Sequence, residues 1–471
     1  MKIIRKGDEK ILGILGEQEV RDLPCRPLRY LLQAQCPDGT LLYNVLTGQL
    51  VLLEEEEALF FRKEAPRPLT PAAAQLAKAW FLVPESYEER NTVHVLRKIL
   101  KMVQGKNGIT GYTILPTTGC NARCFYCYES GLEKVYMAED LAVRLVEYMI
   151  RHKGEGPLRL HWFGGEPLVG MQRIDQICSL LTEKGTEFTS AMTSNGFLFT
   201  EEVVKKAVGL WKLGRVQITL DGTEEIYNRT KAYVCECENP YRQVLQNIRR
   251  LLENHVFVTI RLNLDLHNME DLRSLVLELK DVVGGFQNVE VYSHVLFENA
   301  GAAPIGRTEE TRKLLYRKQV ELDSLIFENG MSRHSISLPV LKTHNCMADT
   351  EDSVVVYPDG RLFKCEHVEK GDDYGHLDSG LVKREITEKF YRTAELPGCG
   401  SCPIYPSCIL LEYCRGITDK NPYTCRYRAD ACARSLPEYY EKAKERKKES
   451  KKENKKESKK KSEQESPFSL T

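Results

Sequence analysis

From Gly111 onward, short apolar runs rich in β-branched residues alternate with amphipathic stretches of helical period. That alternation restricts the fold more than any other feature of the chain. Strands are predicted at Tyr112–Thr117, Leu158–Phe163, Phe188–Thr193, Val216–Leu220, Val256–Leu264 and Val289–His294. Helices are predicted between them at Ala138–His152, Ile174–Leu181, Glu201–Trp211, Tyr241–Leu252 and Glu270–Leu279. In the first of these, Leu141, Leu145, Tyr148 and Met149 fall on one side. Strands joined through helices run parallel, so the expected class is α/β. The loops after the strands then share one face, the face where barrels place their chemistry. A further helix, Glu309–Phe327, closes this section with an apolar face of Leu314, Leu315, Leu322, Leu325 and Ile326.

The first of those loops reads Cys120-Asn121-Ala122-Arg123-Cys124-Phe125-Tyr126-Cys127, a C-x3-C-x2-C run. Three cysteines this close can wrap one face of a metal centre, and thiolates suit zinc or iron–sulfur clusters. Three ligands are one short of a closed site, so a cubane held here keeps one iron open to a small molecule. A zinc knuckle, or thiols that merely sit in a loop, is the competing reading.

The run resembles the hallmark of the radical S-adenosylmethionine (SAM) enzymes, C-x3-C-x-aromatic-C, with Tyr126 in the aromatic slot. The resemblance implies a [4Fe–4S] cluster on Cys120, Cys124 and Cys127, with SAM chelated to the open iron. It implies reductive cleavage of SAM to a 5′-deoxyadenosyl radical that abstracts hydrogen. It also implies closure of the six βα units into a partial (β/α)6 barrel. Gly164-Gly165-Glu166-Pro167 ends the second strand, where glycines allow close backbone approach. In the family such a motif, with Glu166 near free carbonyls, takes the SAM ammonium group. Ser194 and Asn195 follow the third strand, and Thr219 and Asp221 end the fourth. These match regions that contact the SAM ribose and its surroundings, although each alone is equally an Asx-type loop. Arg261 and Asn263 share a face at period two and look like SAM or substrate contacts. A buried ion pair is the alternative for Arg261.

The chain has 16 cysteines and a formal net charge of zero. Nothing global therefore points to nucleic acid or a membrane surface, no apolar run reaches the length of a span, and the N-terminus lacks a signal-peptide core. The expected compartment is the cytoplasm, where clustered cysteines read as metal sites rather than disulfides. Cys25, Cys36 and Cys178 are expected to pack, and Cys235-Glu236-Cys237 to be loop thiols rather than an extra ligand pair. Cys346, Gly360 and Cys365, then Cys399-x2-Cys402-x5-Cys408-x5-Cys414, then Cys425 and Cys432, resemble the SPASM domain of radical SAM enzymes that modify peptides. That resemblance implies two auxiliary [4Fe–4S] clusters. Cys346, Cys365 and Cys414 would belong to the first, and Cys399, Cys402, Cys408 and Cys432 or Cys425 to the second. The last spacing departs from the family pattern, which leaves Cys414, Cys425 and Cys432 open. The first cluster then either takes Cys425 as a fourth ligand or keeps an open iron. A pair of zinc sites is the alternative for the whole array. Glu366, next to Cys365, is a candidate general base or a group hydrogen-bonded near the cluster.

Four segments follow from this reading: an N-terminal strand-and-helix module over 1–105, a radical SAM core over 108–330, the cysteine-rich domain over 331–436 and a charged low-complexity tail over 437–471. In the first, Pro37-Asp38-Gly39 marks a hairpin, and helices are expected at Glu54–Lys63 and Pro71–Trp80. Its position resembles that of leader-peptide recognition elements, which bind an extended peptide as an added strand; a structural cap is the alternative. The tail has no apolar face and cannot pack a core. The whole is expected to be a radical SAM/SPASM maturase of a ribosomally synthesised precursor peptide, forming a thioether or related cross-link. It would be served by a low-potential donor such as flavodoxin or ferredoxin. An anaerobic sulfatase-maturing, formylglycine-generating enzyme and a non-catalytic iron–sulfur or zinc scaffold are the alternatives.

Overall fold

The computed structural model describes residues 1–18, 24–61, 70–104, 108–234, 237–297, 306–332, 338–367, 371–381, 383–414 and 422–445. Cys235 and Glu236 of the C-x-C pair, and the tail from residue 446, lie outside them. The chain opens with β1 (Lys2–Arg5), α1 (Glu9–Leu15), β2 (Cys25–Pro27), β3 (Leu31–Cys36), β4 (Gly39–Asn44) and β5 (Gln49–Leu53). Asp8 caps α1 by accepting from the amides of Lys10 and Ile11. β3 and β4 pair across the expected Pro37-Asp38 turn, with Gly39 at a φ of 136° that a side chain would resist. β1, β5, β4 and β3 form an antiparallel sheet in that order.

The helix expected at Glu54–Lys63 is shorter. Only α2 (Glu55–Ala58) forms, followed by a single 3₁₀ turn to Phe61, and residues 62 and 63 lie outside the described residues. Glu57 folds back to accept from the Glu54 amide at 2.9 Å and from the N-terminal amino group at 2.6 Å. α3 (Pro71–Lys78) forms as expected, with Thr70 as its cap and Pro71 at the first helical position. β6 (Leu82–Pro84) pairs with β2, and α4 (Glu89–Gln104) leads out of the module.

All six predicted core strands are present. They are β7 (Gly111–Ile114), β8 (Leu158–Trp162), β9 (Phe188–Ser194), β10 (Leu213–Leu220), β11 (Phe257–Leu264) and β12 (Val289–Val295), each parallel to the next. Between them lie α5 (Glu139–Arg151), α6 (Met171–Glu183), α7 (Glu201–Gly209), α8 (Glu224–Lys231), α9 (Pro240–Glu253) and α10 (Asp271–Val283). The stretch after Asp221, where no helix was predicted, therefore contains one, α8. Asp271 pins its start by accepting from the Thr223 amide and hydroxyl at 2.7 and 2.6 Å. The main core lies between sheet and helices and includes Leu141, Trp162, Ile218, Ile260 and Leu275.

α11 (Glu309–Glu328) turns Leu315, Leu322 and Ile326 into that core. Then follow β13 (Ser353–Val356), β14 (Arg361–Phe363), β15 (Gly375–His376), β16 (Gly380–Leu381), α12 (Arg384–Tyr391) and α13 (Pro422–Arg434). β13 and β14 pair as a hairpin. β13 also lies parallel to β7, so one ten-stranded sheet runs from β12 through β7 to β16. All four β13 residues are buried, as a strand with neighbours on both sides requires.

Candidate active site and two further cysteine clusters

The Cys120–Cys127 loop leaves the end of β7 and is fixed from below by backbone packing. Thr117 Oγ1 donates to Val135 O and accepts from Gly119 N, both at 2.8 Å. The loop after β8 closes onto it, with Gly165 N donating to Thr117 O at 3.3 Å and Glu166 N to Gly119 O at 3.0 Å. Two glycines are needed here. A Cβ on Gly164, whose φ is 118°, would stand 2.3 Å from Thr117 O, and one on Gly165 would stand 2.5 Å from Gly119 O.

Glu166 does not face the space that SAM would fill. It is fully buried and accepts from Ser194 Oγ at 2.9 Å, Asn195 N at 2.8 Å and Leu168 N at 3.2 Å. Burial pushes its carboxyl up to about 7 against those donors. It thus ties the end of β9 to the glycine loop, and Pro167 is buried behind it. Asn195 Nδ2 in turn donates to Asn121 Oδ1 at 2.7 Å, inside the cysteine loop.

Asp221 also lies behind the wall, 1% exposed. It anchors three groups: Tyr126 Oη donates to Oδ1 at 2.7 Å, Asn263 Nδ2 donates to the same oxygen at 3.0 Å, and Lys231 Nζ stands 3.0 Å from Oδ2. Lys231, at the end of α8, was not singled out from the sequence. It is 3% exposed and also donates to Tyr126 Oη at 3.1 Å. Its carbonyl accepts from Arg123 N at 2.8 Å, and Val234 N donates to Asn121 O at 2.9 Å, so the end of α8 clamps the cysteine loop. A buried ammonium beside Cys124 favours the thiolate there, although burial still pushes that thiol up.

These elements enclose a cavity of about 420 Å³ at the carboxyl ends of the strands. Cys120, Cys124 and Cys127 line one end, and Tyr126, Gly164, Gly165, Ser194, Asn195, Thr219, Arg261 and Asn263 line the walls. Arg261 is no buried ion pair: its Nε donates to Asn263 Oδ1 at 3.0 Å, its Nη2 lies 3.2 Å from His294 Nδ1, and its guanidinium covers the Phe297 ring at 5.7 Å. Glu366 and His367 also line it, together with Tyr128, Glu129 and His161. The last three carry no signal in the sequence beyond lying at strand ends or just after the cysteines. Burial pushes the Glu129 carboxyl up to about 7, and its Oε1 has no hydrogen-bond partner. His161 Nε2 stands 2.9 Å from Thr193 Oγ1, and burial lowers its pKa.

The later cysteines fall into two sets. Cys414 is close enough for its charge to be felt at Cys346 and Cys365, and Cys346 close enough for its charge to be felt at Cys365; Cys365 and Cys414 pack on one small core with Phe390, Ile409 and Leu411. Cys399, Cys402, Cys408 and Cys425 line a second cavity, of about 400 Å³. Cys432 packs with the N-terminal core, as Cys399 and Cys402 also do, near enough to Tyr43 for its charge to be felt there. Of the two late cysteines that spacing left open, Cys425 lines this cavity and Cys432 is not among its lining residues. Cys25 and Cys178 are buried packing residues as expected, and Cys36 is half-buried. Burial pushes Cys120 up to about 12 and Cys402 up to about 11. A metal bound at either place would have to displace those protons. Among the described residues, no three His, Cys, Asp or Glu side chains close to the spacing of a single ion. Cysteine thiolates grouped in this way are the donor set that iron–sulfur groups take.

Residues 114–279 match the family model described as the radical SAM superfamily. A probable GTP 3′,8-cyclase of Archaeoglobus fulgidus is 36% identical over 114 residues, 24% of this chain and 36% of that protein. An S-adenosylmethionine-dependent nucleotide dehydratase of a Thermoplasmatales archaeon is 30% identical over 106 residues, 22% of this chain and 36% of that protein. The chain thus spans about a third of the length of these curated relatives. Among solved structures, anSMEcpe with bound AdoMet and the Cp18Cys peptide superposes with a TM-score of 0.54 at 16% identity, covering 71% of this chain and 99% of that one. Streptococcus suis SuiB bound to S-adenosylmethionine superposes with a TM-score of 0.50 at 14% identity, covering 84% and 97%. The fold is therefore the radical SAM fold, here with a mixed sheet. Among the described residues no helix is long and apolar enough to cross a membrane.

Proposed function

Residues 114–279 being a radical SAM domain, we propose that the chain is a radical SAM peptide maturase that forms a thioether or related cross-link in a precursor peptide. A [4Fe–4S] cluster on Cys120, Cys124 and Cys127, with SAM, supplies a one-electron reductive cleavage whose product abstracts hydrogen. The chain's own residues bind and orient. Gly164 and Gly165 bring backbone against the cysteine loop, Ser194 and Asn195 hold the next wall, and Thr219, Arg261 and Asn263 offer polar contacts to SAM or substrate. Lys231 and Asp221 set the position of Tyr126 beside Cys127. Glu366, which lines the same cavity, would take a proton from the substrate. Low-potential electrons would come from a protein such as flavodoxin or ferredoxin.

The observation that carries this reading is the extent of the cavity. It runs from the three thiols of the first loop to Met347, Glu366 and His367, which adjoin Cys346 and Cys365. A peptide side chain lying in it would touch both ends. A peptide in the similarly folded anSMEcpe supports the substrate class. Auxiliary clusters on Cys346, Cys365 and Cys414, and on Cys399, Cys402, Cys408 and Cys425, would accept an electron or bind the substrate. The N-terminal sheet, whose order ends in β1 and β3, offers its edges to a leader peptide by strand addition.

The test is anaerobic. Reduced, reconstituted protein should convert SAM to 5′-deoxyadenosine, and Cys124→Ala should abolish this; retained cleavage would remove the central claim. About twelve irons per chain, four for each cubane, with little zinc should accompany activity. About four irons with two zincs would make the late cysteines a scaffold. Glu366→Gln turning over a peptide at the normal rate would exclude its part as a base.

A further inference from the structure

The N-terminal module reaches into the second cysteine cavity. Arg97, on α4, is half-buried there, and His94, one turn earlier, stands at the same wall. Arg97 Nη2 reaches three carbonyls: Tyr405 O at 3.0 Å, Pro406 O at 3.1 Å and Cys408 O at 2.9 Å. Its Nε donates to Lys342 O at 3.1 Å, and its guanidinium covers the Tyr405 ring at 5.3 Å. The other side of Tyr405 is held from the same module. Its ring stacks on Tyr30 at 6.0 Å, and its Oη lies 3.2 Å from His94 Nε2 while donating to Glu395 Oε1 at 2.9 Å. Arg90 pairs with that same Glu395, and Arg29 Nη1 donates to Gly400 O at 3.3 Å.

Apart from the bond to Lys342, these contacts fall on the backbone or side chains between Glu395 and Cys408, the segment carrying Cys399, Cys402 and Cys408. A surface ion pair could tether two modules with less. Arg97 instead has its charge felt at Cys408 itself. A guanidinium is a permanent cation with a rigid fork of donors, so its charge does not leave when a neighbouring group changes state. Net charge and hydrogen bonds around a cluster set its reduction potential. A fixed cation favours the more negative, reduced form.

We infer that Arg97 is a positioning residue for the iron–sulfur group of the Cys399, Cys402, Cys408 and Cys425 cavity. It holds the ligand-bearing segment in place through three carbonyls and raises the group's reduction potential through its charge. The N-terminal module is then part of this centre, whatever else it binds. The inference rests on the reading that the cavity holds a cluster.

Full-length wild type, Arg97→Lys and Arg97→Ala, reconstituted without oxygen, separate the possibilities. Iron and sulfide are counted per chain, and potentials are read by redox titration followed by electron paramagnetic resonance. Arg97→Ala should lose about four irons, one cluster's worth, or keep them with one potential shifted lower. Arg97→Lys, which keeps the charge, should restore that potential toward the wild type. An alanine variant with unchanged iron and potentials overturns the inference, as does a lysine variant shifted as far as alanine. Should the alanine variant not fold, Arg97→Gln, which keeps an amide donor without the charge, carries the same titration. Wild type holding zinc at this site would remove the underlying reading, and the inference with it.

Discussion

Gly165→Ala isolates how tightly the glycine loop must press on the cysteine loop. The added Cβ would stand 2.5 Å from Gly119 O, 2.6 Å from Thr118 O and 2.7 Å from Gly119 C. Ordinary contact begins at 3.4 Å, so the closest approach falls short by about 0.9 Å. All three neighbours are backbone, with no flexible side-chain end to swing aside. Gly165 is not among the residues at positive φ, so the effect is steric and not torsional. Forcing the loops apart costs roughly 1–3 kcal/mol as overpacking, and stretching the bond from Glu166 N to Gly119 O adds about 1 kcal/mol. The backbone that yields lies immediately before Cys120, and a misplacement of about 1 Å is worth roughly 100-fold in rate. The assay is 5′-deoxyadenosine formed per minute by the reduced enzyme, with iron counted on the same sample. A drop of about two orders of magnitude is expected. Gly209→Ala is the control, since nothing stands within 4 Å of its added Cβ at the end of α7; it should gain up to about 1 kcal/mol of stability and keep full turnover. A Gly165→Ala enzyme within twofold of wild type, with unchanged melting, would refute the steric argument.

Lys231→Met should cost about 3–5 kcal/mol, because it leaves the Asp221 carboxylate buried without its cation; Lys231→Met with Asp221→Asn should recover much of that loss in thermal melts. Glu166 gives a pH signature: its native carboxyl titrates near 7 against an ordinary 4.5, so the folded state holds the extra proton between those values. Stability contributed by that proton is present in full below about 4.5 and is lost as pH rises to about 7, by roughly 3 kcal/mol in all. Denaturant melts of Glu166→Gln against wild type at pH 5 and 7.5 should show most of that difference, and little slope above 7.5. Cys425→Ser should remove the iron of the second auxiliary site, whereas Cys432→Ser should leave the iron count unchanged.

Much of this was legible in the sequence, for physical reasons. The βα alternation set strand order because each amphipathic helix has one sheet face to cover. The cysteine loop, Gly164 and Gly165 were readable because thiol spacing and missing side chains each have few explanations. Glu166 and Asp221 were found but given the wrong orientation, since a motif names a residue type and not the direction of its carboxylate. Lys231 was missed because a lysine at a helix end is ordinarily a solvated residue. Its partner lies ten residues earlier across a helix that the local pattern, crowded with Glu, Asn and Thr, did not announce. The pairing of β13 to β7 spans more than 200 residues, and no local pattern encodes it. The choice between Cys425 and Cys432 likewise required knowing where α13 runs.

β13 also decides where the chain can be cut. A fragment ending near residue 330, as the segment boundaries suggest, would strip Ser353–Val356 from Gly111–Ile114. The exposed side of β7 would then present unpaired amides and carbonyls at a sheet edge, an open template for aggregation. The strand so bared is the one that delivers the first cysteine loop. A truncated core would fail as insoluble material before its chemistry could be assayed, and such failure would say nothing about the role of the later cysteines.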